Sequence, residues 1–358
     1  MRVVGVDPGT LHFDICGLED GELKLDLTFS SEVVAKEPER LVNIIAGFSP
    51  DLIVGPSGYG VPLRSVAELT PDDRFEMTLE RVEDRGKIPV LVGLQKMVDL
   101  MREREMPVYF IPGVVHLPSV PPWRKVNRID MGTADKMAIG VLGVYRETQR
   151  RKLPFNKVSV IVVEMGFGYN AALAVAEGRI VDGIGGSVFP GPAYLNMGAL
   201  DGEVAYLLYP FEKLALFSGG VLSVVGAEMA PEAFWEKVQR QEEKACLAYQ
   251  AFVEGIVKSV SMERTVTPAQ GVLLSGRLSR VPGLSNDIAT AVIEKTGLEV
   301  NFLRGLGQQS KEAASGSAII ADGLARGRFQ ELITHMQVQK ADGRLFDHMY
   351  IQGMRMVG

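Results

Sequence analysis

The sequence predicts an α/β protein of two similar domains, each built on a mixed β-sheet with helices packed against it. The main observation is a repeat at residues 3–10 and 160–167, where an apolar run ends in a carboxylate and glycine follows two residues later. In both copies a second apolar run leads to an acid–glycine turn, whose glycine lies fourteen residues after the carboxylate. Such internal similarity is typical of duplicated domains, and 358 residues suffice for two cores.

Each copy of the repeat predicts a three-stranded meander, because its apolar runs are short and separated by glycine turns. The strands are expected at residues 3–7, 13–18 and 22–27 in the first copy and at 160–164, 171–175 and 179–184 in the second.

Beyond the meanders, periodicity and turn residues predict alternating helices and strands in each half. In the first half we expect helices at 37–48, 90–105 and 132–150 and strands at 51–55 and 108–111. In the second half we expect a helical region broken once at 231–262, strands at 271–275 and 298–302, and helices at 286–295, 310–326 and 329–339. Residues 70–87 are charged and aperiodic, which predicts a surface insertion, and the methionine-rich tail at 349–357 predicts a packed strand.

The composition argues against several classes of function. A formal net charge of -6 argues against general nucleic-acid binding, and no apolar run is long enough to cross a membrane. Cys16 and Cys246 lie far apart in apolar patterns, which rules out a CxxC metal motif and fits a reducing compartment. The chain opens directly into a strand without a signal sequence, so we expect a cytoplasmic protein. A homodimer is compatible with this sequence. The histidines form no compact metal motif, and lone histidines are usually surface or core groups; they are His12, His116, His335 and His348.

The first repeated turn carries groups that suit a metal-bound phosphate chain. Asp7 ends a strand, so we expect its carboxylate at the sheet edge, where it could hold Mg²⁺ through water. We expect Gly9 to take a conformation that a side chain forbids and to let backbone N–H groups approach a phosphate, while Thr10 adds a hydroxyl donor. The alternative is a plain Asp-Pro-Gly hairpin turn, which the match in the second half weakens.

In this order and spacing the motifs resemble those of the acetate and sugar kinase, Hsc70 and actin superfamily, whose members have two ribonuclease H-like domains around an ATP cleft. Residues 7–10 look like the first phosphate motif, 164–170 like the second and 271–277 like the adenosine motif. The helices at 132–150 and 310–326 look like the two connecting helices, so the resemblance covers nearly the whole chain. More narrowly, the chain resembles an archaeal family of unknown function described as predicted butyrate kinases.

The resemblance implies ATP and Mg²⁺ as cofactors, with Asp7 and Glu164 at the metal. It assigns nucleotide and phosphate contacts to Gly9, Thr10, Gly166, Gly168, Ser275, Gly276 and Arg277. It also implies domains at residues 1–151 and 152–310, with a connecting helix and tail at 311–358 that returns toward the first domain.

Two features depart from the superfamily pattern. Glu164 stands where the second motif usually begins with aspartate, although its longer side chain could still reach a water on Mg²⁺. The asparagine, arginines and histidines that acetate and butyrate kinases use near their substrates have no counterparts that can be placed here residue by residue.

The stretch 132–136, Gly-Thr-Ala-Asp-Lys, opens a predicted helix and is similar to the Gly-Ala-Asp-Arg stretch of type III pantothenate kinases, whose aspartate is the proposed base toward the acceptor hydroxyl. Asp135 is the corresponding candidate here. In the alternative interpretation Thr133 or Asp130 caps the helix and Asp135 stabilises its first turn. A carboxylate acceptor is already ionised at neutral pH and needs no base, so Asp135 also distinguishes two classes of acceptor.

Three further residues are candidates for binding the acceptor. Arg124 and Arg128 could clamp an anion or belong to a solvated basic loop. Ser57 follows a predicted strand and could line the acceptor pocket or belong to a simple turn. Its loop also suggests a serine hydrolase, although Tyr59 stands where the nucleophile elbow has glycine.

The sequence therefore predicts an ATP- and Mg²⁺-dependent small-molecule kinase with Asp7 and Asp135 as catalytic residues. A butyrate-like carboxylate is one candidate acceptor. The alternative is a regulatory ATPase of the same superfamily that has no acceptor, although the clustered cysteines of its cluster-bearing members are missing from this sequence.

Overall fold

The computed structural model describes residues 1–351, and these form two units. The first unit comprises residues 1–158 and 177–182 together with the described chain from 304 onward. The second comprises residues 159–176 and 183–303. Among the described residues, no helix is long and apolar enough to cross a membrane.

The first unit is built on a six-stranded mixed sheet. Its strands are β1 (Arg2–Pro8), β2 (His12–Glu19), β3 (Glu22–Ser30), β4 (Leu52–Val54), β5 (Arg64–Ser65) and β6 (Val108–Phe110). Their order is β3–β2–β1–β4–β6–β5, with β1 antiparallel to β2 and parallel to β4. Valines on both faces of β1 are buried, as expected for a central strand covered on both sides.

Eight helices accompany this sheet in the described part of the first unit. They are α1 (Ser31–Lys36), α2 (Pro38–Gly47), α3 (Pro71–Thr78), α4 (Pro89–Glu103), α5 (Pro122–Lys125), α6 (Ala134–Arg151), α12 (Glu312–Leu324) and α13 (Gln330–His335).

The second mixed sheet has five strands. They are β7 (Val160–Met165), β8 (Asn170–Ala176), β9 (Arg179–Ile184), β10 (Val272–Ser275) and β11 (Val300–Phe302), in the order β11–β10–β7–β8–β9. All of them belong to the second unit except residues 179–182 of β9, which are counted with the first. The helices of the second unit are α7 (Gly202–Leu207), α8 (Val221–Val225), α9 (Pro231–Gln239), α10 (Glu243–Arg264) and α11 (Pro282–Thr296). The core of this unit lies between the sheet and helices α9, α10 and α11.

The two sheets confirm the predicted α/β fold and its duplication. In each sheet the first strand of a meander pairs antiparallel with the second strand and parallel with a later strand. Asp7 lies opposite Asp14 in the first sheet, whereas Glu164 lies opposite Ala171 in the second. The two copies therefore share a strand order, but Asp7 lies opposite a second acid whereas Glu164 lies opposite an alanine.

Helix α12 packs unusually close to its neighbours in the first unit because two glycines leave room for it. A Cβ atom on Gly5 of β1 would collide with the α12 backbone at Ala314 and Ala318. A Cβ atom on Gly316 of α12 would collide with the backbone oxygen of Ala138 in α6. The backbone of α12 therefore contacts the backbones of both β1 and α6. These contacts fix the N-termini of the two helices relative to β1.

The prediction of a surface insertion at residues 70–87 is wrong for its first half, whereas residues 82–87 are mostly exposed. Residues 71–78 form α3, which begins with a capping box between Thr70 and Asp73. Glu76 is buried and accepts a hydrogen bond from Arg344 Nε at 2.6 Å. Four acids of this segment are buried and four charged residues are exposed. The buried ones are Asp73, Glu76, Glu80 and Asp84, and the exposed ones are Asp72, Glu83, Arg85 and Lys87.

The predicted strand in the methionine-rich tail falls largely outside the described residues. Residues 349–351 have no regular secondary structure, and residues 352–358 lie beyond the described chain.

Candidate active site

Two buried carboxylates lie side by side at one end of the first sheet. Asp7 is the penultimate residue of β1 and Asp14 is its antiparallel partner in β2. Directly opposed residues of antiparallel strands project to the same face, so the two side chains are neighbours. Asp7 is 3% exposed and Asp14 is 1% exposed. Burial of two like charges requires a cation close by.

Lys311 supplies that cation. It is the residue immediately before α12, and its Nζ lies 3.4 Å from Asp7 Oδ2 and 3.1 Å from Asp14 Oδ2. The other oxygen of Asp7, Oδ1, is buried and has no hydrogen-bond partner within residues 1–351. A buried carboxylate oxygen without a partner calls for an explanation, and beside Asp14 and Lys311 this one is a candidate ligand position.

Asp135 lies at the start of α6 and is held by its own neighbours. The Thr133 hydroxyl donates to Asp135 Oδ1, and the Lys136 ammonium donates to Asp135 Oδ2. Thr133 occupies the N-cap position, but its side chain makes no capping hydrogen bond, so capping by the Thr133 hydroxyl is wrong. Asp135 lies in the first turn of the helix, as the alternative interpretation expects.

Electrostatics connect these groups. Burial raises the pKa of Asp7 to about 7, the charges of Asp135 and Asp14 raise it as well, and the charges of Lys311 and Lys136 oppose the rise. Burial alone would raise the pKa of Asp135, but the charge of Lys136 and the hydrogen bonds from Lys136 and Thr133 bring it below its usual value. The site thus contains one carboxylate that is poised to titrate near neutrality and one that stays ionised.

Gly9 is required for space rather than for an unusual backbone conformation. Its φ is not in the left-handed region, so the expectation of a forbidden conformation is wrong. A Cβ atom there would meet the Lys311 ammonium and would lie 2.9 Å from the His12 backbone oxygen. The turn is held by Ser31, whose hydroxyl donates to the Gly9 oxygen at 2.8 Å. Thr10 follows in the same turn and is partly exposed.

The structure places the three candidate acceptor residues differently. The loop of Ser57 contacts the start of α6, because Ala134 N–H donates to the Gly58 oxygen at 2.9 Å. Arg124 donates to the Val181 backbone oxygen at 2.7 Å and lies 3.5 Å from Asp182. Arg128 is exposed. The loop of Ser57 therefore lies next to the helix that carries Asp135, and the roles of all three residues stay predictions.

Ser57 lacks the partner that a nucleophile needs. It is 4% exposed, and within the described chain its Oγ has no hydrogen-bond partner. A serine nucleophile is activated by a base in hydrogen-bond reach. The geometry therefore offers no support for the serine hydrolase, and a buried unpartnered hydroxyl is better suited to contact a ligand.

In the second unit, Glu164 and Ser275 are side by side at the ends of parallel strands. They are register partners of β7 and β10. Ser275 is fully buried, and its hydroxyl has no hydrogen-bond partner among the described residues. Gly276 follows with a φ of 85°, which only glycine adopts readily, and its missing side chain allows close approach to the Met165 oxygen. This is the strand-end turn that the resemblance assigns to a nucleoside.

The remaining predicted residues of the second unit lie in its turns. Gly166 closes the β7–β8 turn by donating to the Tyr169 oxygen at 3.1 Å, and the Gly168 oxygen accepts from Asn196 N–H at 3.0 Å. Arg277 is exposed, with Nη2 3.9 Å from Glu232 Oε1. Their contacts to phosphate or nucleoside stay predictions.

The donor set suits a magnesium ion held mainly by water. No group of three or more histidine, cysteine or acidic side chains within residues 1–351 is arranged to hold a metal. Mg²⁺ typically keeps several waters and takes one or two protein carboxylates together with substrate phosphates. The unpartnered Oδ1 of Asp7 can provide such a ligand, so the first unit fits Mg²⁺ with its nucleotide and does not fit a metal caged by protein alone.

Three residues of the site, Asp14, Lys136 and Lys311, were not predicted from the sequence. Asp14 had a usable signal, since it is the one charge inside an apolar strand of the meander. The only sequence signal for Lys136 is its position next to Asp135. Lys311 has no local signal, because it reaches Asp7 from 304 residues away in sequence.

Comparisons with solved structures place this fold among kinases of carboxylates and sugars. A propionate kinase from Francisella tularensis subsp. tularensis SCHU S4 superposes with a TM-score of 0.61 at 11% identity, covering 88% of this chain and 98% of that one. An acetate kinase from Entamoeba histolytica gives 0.59 at 9% identity, covering 83% and 87%. A ROK hexokinase from Thermus thermophilus gives 0.50 at 15% identity, covering 91% and 99%.

At these identities the likeness shows the fold alone, and it confirms the two-sheet architecture of the acetate and sugar kinase fold. No curated protein matches the chain. A family model described as a protein of unknown function, DUF1464, matches residues 5–351. The chain therefore belongs to the DUF1464 family.

Proposed function

We propose that this protein is an ATP- and Mg²⁺-dependent phosphotransferase that acts on a small molecule. The observation that carries the proposal is the buried Asp7 carboxylate, with one oxygen lacking a partner among the described residues and with Asp14, Asp135 and two lysines around it. The kinase fold of the structural neighbours supports the same conclusion. Mg²⁺, when bound, would neutralise phosphate charge there, and Asp7 would hold it with the help of waters.

Each unit has a distinct role in this proposal. In the first unit Asp7 orients the metal, Lys136 and Lys311 offset phosphate charge, and Asp135 faces the acceptor. In the second unit the close backbone at Gly276 and the unpartnered hydroxyl of Ser275 contact the nucleoside. Phosphoryl transfer needs little covalent chemistry from a protein, so positioning and charge account for most of its catalysis.

Substitution of Asp135 distinguishes the acceptor classes. A hydroxyl acceptor must lose a proton, so Asp135→Asn should lower kcat about 10²–10⁴-fold without an equal change in KM. A carboxylate acceptor, such as the butyrate-like one that the sequence suggests, is already ionised and should lose far less. The assay measures the ADP formed from ATP and Mg²⁺ in the presence of each member of a panel of small carboxylic acids, alcohols and sugars.

The same assay separates the kinase from a regulatory ATPase. Stimulation of ADP release by an acceptor, with a phosphorylated product in equal amount, supports the proposal. Steady ATP hydrolysis that no member of the panel stimulates would favour the ATPase instead. Failure of ATP to bind in the presence of Mg²⁺ would reject both.

A further inference from the structure

Lys311 holds its charge in a position that a bound cation would otherwise occupy. Its ammonium lies within 3.4 Å of carboxylate oxygens from both Asp7 and Asp14, and these two side chains are 4% and 1% exposed. The Lys311 side chain itself is 24% exposed. The single ammonium between these two buried carboxylates offsets part of their negative charge, as a bound cation would.

The Gly9 turn completes the surroundings of this ammonium. Lys311 Nζ packs against Gly9 so closely that a Cβ atom there would collide with it. Carboxylates therefore border the ammonium on one side and the turn of the first repeat borders it on another. This turn is also the one proposed to approach a phosphate.

The backbone that carries Lys311 is anchored by Asp26 of β3. The carboxylate of Asp26 accepts hydrogen bonds from three consecutive backbone N–H groups, Gln308 at 2.7 Å, Gln309 at 2.9 Å and Ser310 at 2.8 Å. Burial alone would raise the pKa of Asp26, but these bonds bring it below its usual value, which keeps the anchor ionised. The chain before α12 is thus fixed, and Lys311 reaches the carboxylates from a rigid point.

We propose that Lys311 is a built-in countercation, which occupies the cation position of the Asp7–Asp14 pair in the nucleotide-free protein and must move before a divalent ion binds there. This inference rests on the proposed function, because it concerns the metal of the same site. The triphosphate of a nucleotide offers the displaced ammonium a new anionic partner. Metal and nucleotide therefore bind together, and free divalent ion alone binds weakly.

Binding of Mn²⁺ to the nucleotide-free full chain tests this directly. Mn²⁺ is the probe because the electron paramagnetic resonance signal of the unbound ion reports its free concentration. At pH 8 the unsubstituted protein should bind it weakly, and Lys311→Met should lower the Kd about tenfold or more, since removal of a cation from two carboxylates strengthens their pull on another. Lys311→Arg keeps the charge and should bind as weakly as the unsubstituted protein.

A matched control and a double variant locate the ion. Lys24→Met makes the same change at an exposed lysine on β3 and should leave the Kd unaltered. Asp7→Asn added to Lys311→Met should remove the gain, because the ion is held by Asp7. Equal Mn²⁺ affinity in Lys311→Met and the unsubstituted protein would overturn the proposal, and so would a gain that survives Asp7→Asn.

A second measurement on the unsubstituted protein covers the case in which Lys311→Met does not fold. Acetylation of Lys311 by acetic anhydride, followed by mass spectrometry, should change in rate relative to Lys24 when Mn²⁺ and a non-hydrolysable ATP analogue are added together, because the Lys311 ammonium then exchanges its carboxylate partners for phosphate. No change in the ratio would contradict displacement. Neither measurement depends on phosphoryl transfer, so the countercation and the kinase activity can fail independently.

Discussion

At the residue scale, the fold buries the Asp7 carboxylate and thereby makes its ionised form unfavourable. Burial raises its pKa from 3.8 to about 7, so ionisation of Asp7 costs the folded protein free energy. Between about pH 4 and pH 7 the folded protein holds a proton that the unfolded chain has released. The stability contributed by this group is therefore complete below about pH 4 and is lost as the pH rises to about 7.

Asp7→Asn should accordingly stabilise the protein while removing its activity. At pH 8, without nucleotide or divalent ion, we expect the free energy of unfolding to rise by roughly 1–3 kcal/mol, since a buried charge is removed and Asp14 still pairs with Lys311. Urea denaturation of the variant and the unsubstituted protein measures the difference. Asp342→Asn, at an exposed aspartate, is the control. A variant less stable than its parent would show that the ionised carboxylate stabilises the fold.

His116 gives a pH dependence of the opposite sign. Its Nδ1 accepts a hydrogen bond from Gly113 N–H at 3.2 Å, and burial together with the charge of Lys125 lowers its pKa from 6.5 to about 4. Between these two pKa values, His116 is protonated in the unfolded chain and neutral in the folded protein. Its contribution to stability is present above about pH 6.5 and is lost as the pH falls to about 4.

His116→Gln should flatten the acid side of the stability profile. From pH 7 to pH 4.5 the unsubstituted protein should lose about 2–3 kcal/mol more of its free energy of unfolding than the variant does. Denaturant titrations at a series of pH values provide the measurement, with His348→Gln as the control. Parallel profiles for His116→Gln and its parent would mean that His116 is protonated alike in both states.

At the element scale, the position of α12 determines where the site lies. Its glycine contacts with β1 and α6 bring the ends of all three elements together, and these ends carry Asp7, Asp135 and Lys311. A larger residue at either glycine would collide with backbone atoms of the neighbouring element, and these atoms cannot rotate away as a side chain can.

Gly316→Ala should therefore destabilise the protein by about 1–3 kcal/mol, although alanine is the better helix former. Gly47→Ala, at the end of α2 where no atom lies within 4 Å of the added Cβ, should be neutral or slightly stabilising. Thermal or urea unfolding of the two variants compares them. An equal response would show that the contact with α6 relaxes without cost.

The same elements show what the sequence can and cannot reveal. The repeat, its meanders and helices such as α6 follow from periodicity and turn residues, so a helix at residues 132–150 was expected and Ala134–Arg151 is observed. The first half of segment 70–87 was misjudged, because its buried carboxylates find partners far along the chain, such as Arg344 for Glu76. Lys311 was missed for the same reason: a contact across 304 residues has no local pattern.

At the scale of the whole molecule, the two copies of the repeated sheet place different side chains beside their strand-end acids. The acid at the end of β1 lies beside another acid and a lysine, while the acid at the end of β7 lies beside Ala171 and Ser275. The first unit thus suits a metal and phosphate charge, and the second suits a neutral, closely packed ligand. In the proposed function these correspond to the triphosphate and to the nucleoside.

Binding of the nucleotide should stabilise the whole protein. Ligands that bind only the folded state raise its stability by mass action, so Mg²⁺ with an ATP analogue should raise the Tm more than either component alone. Differential scanning fluorimetry over a range of analogue concentrations shows this. A Tm that responds equally to Mg²⁺ alone would argue against joint binding, and Ser275→Val should reduce the response to the nucleotide.

The most direct test of the kinase proposal follows the γ-phosphorus of ATP by ³¹P nuclear magnetic resonance. With Mg²⁺ and a mixture of small carboxylic acids and alcohols, the unsubstituted protein should convert ATP into ADP and one new phosphorylated species. Asp7→Asn, folded and at the same concentration, should leave the ATP spectrum unchanged. Transfer at an equal rate by Asp7→Asn, or no nucleotide turnover by the unsubstituted protein with any acceptor, would contradict the account.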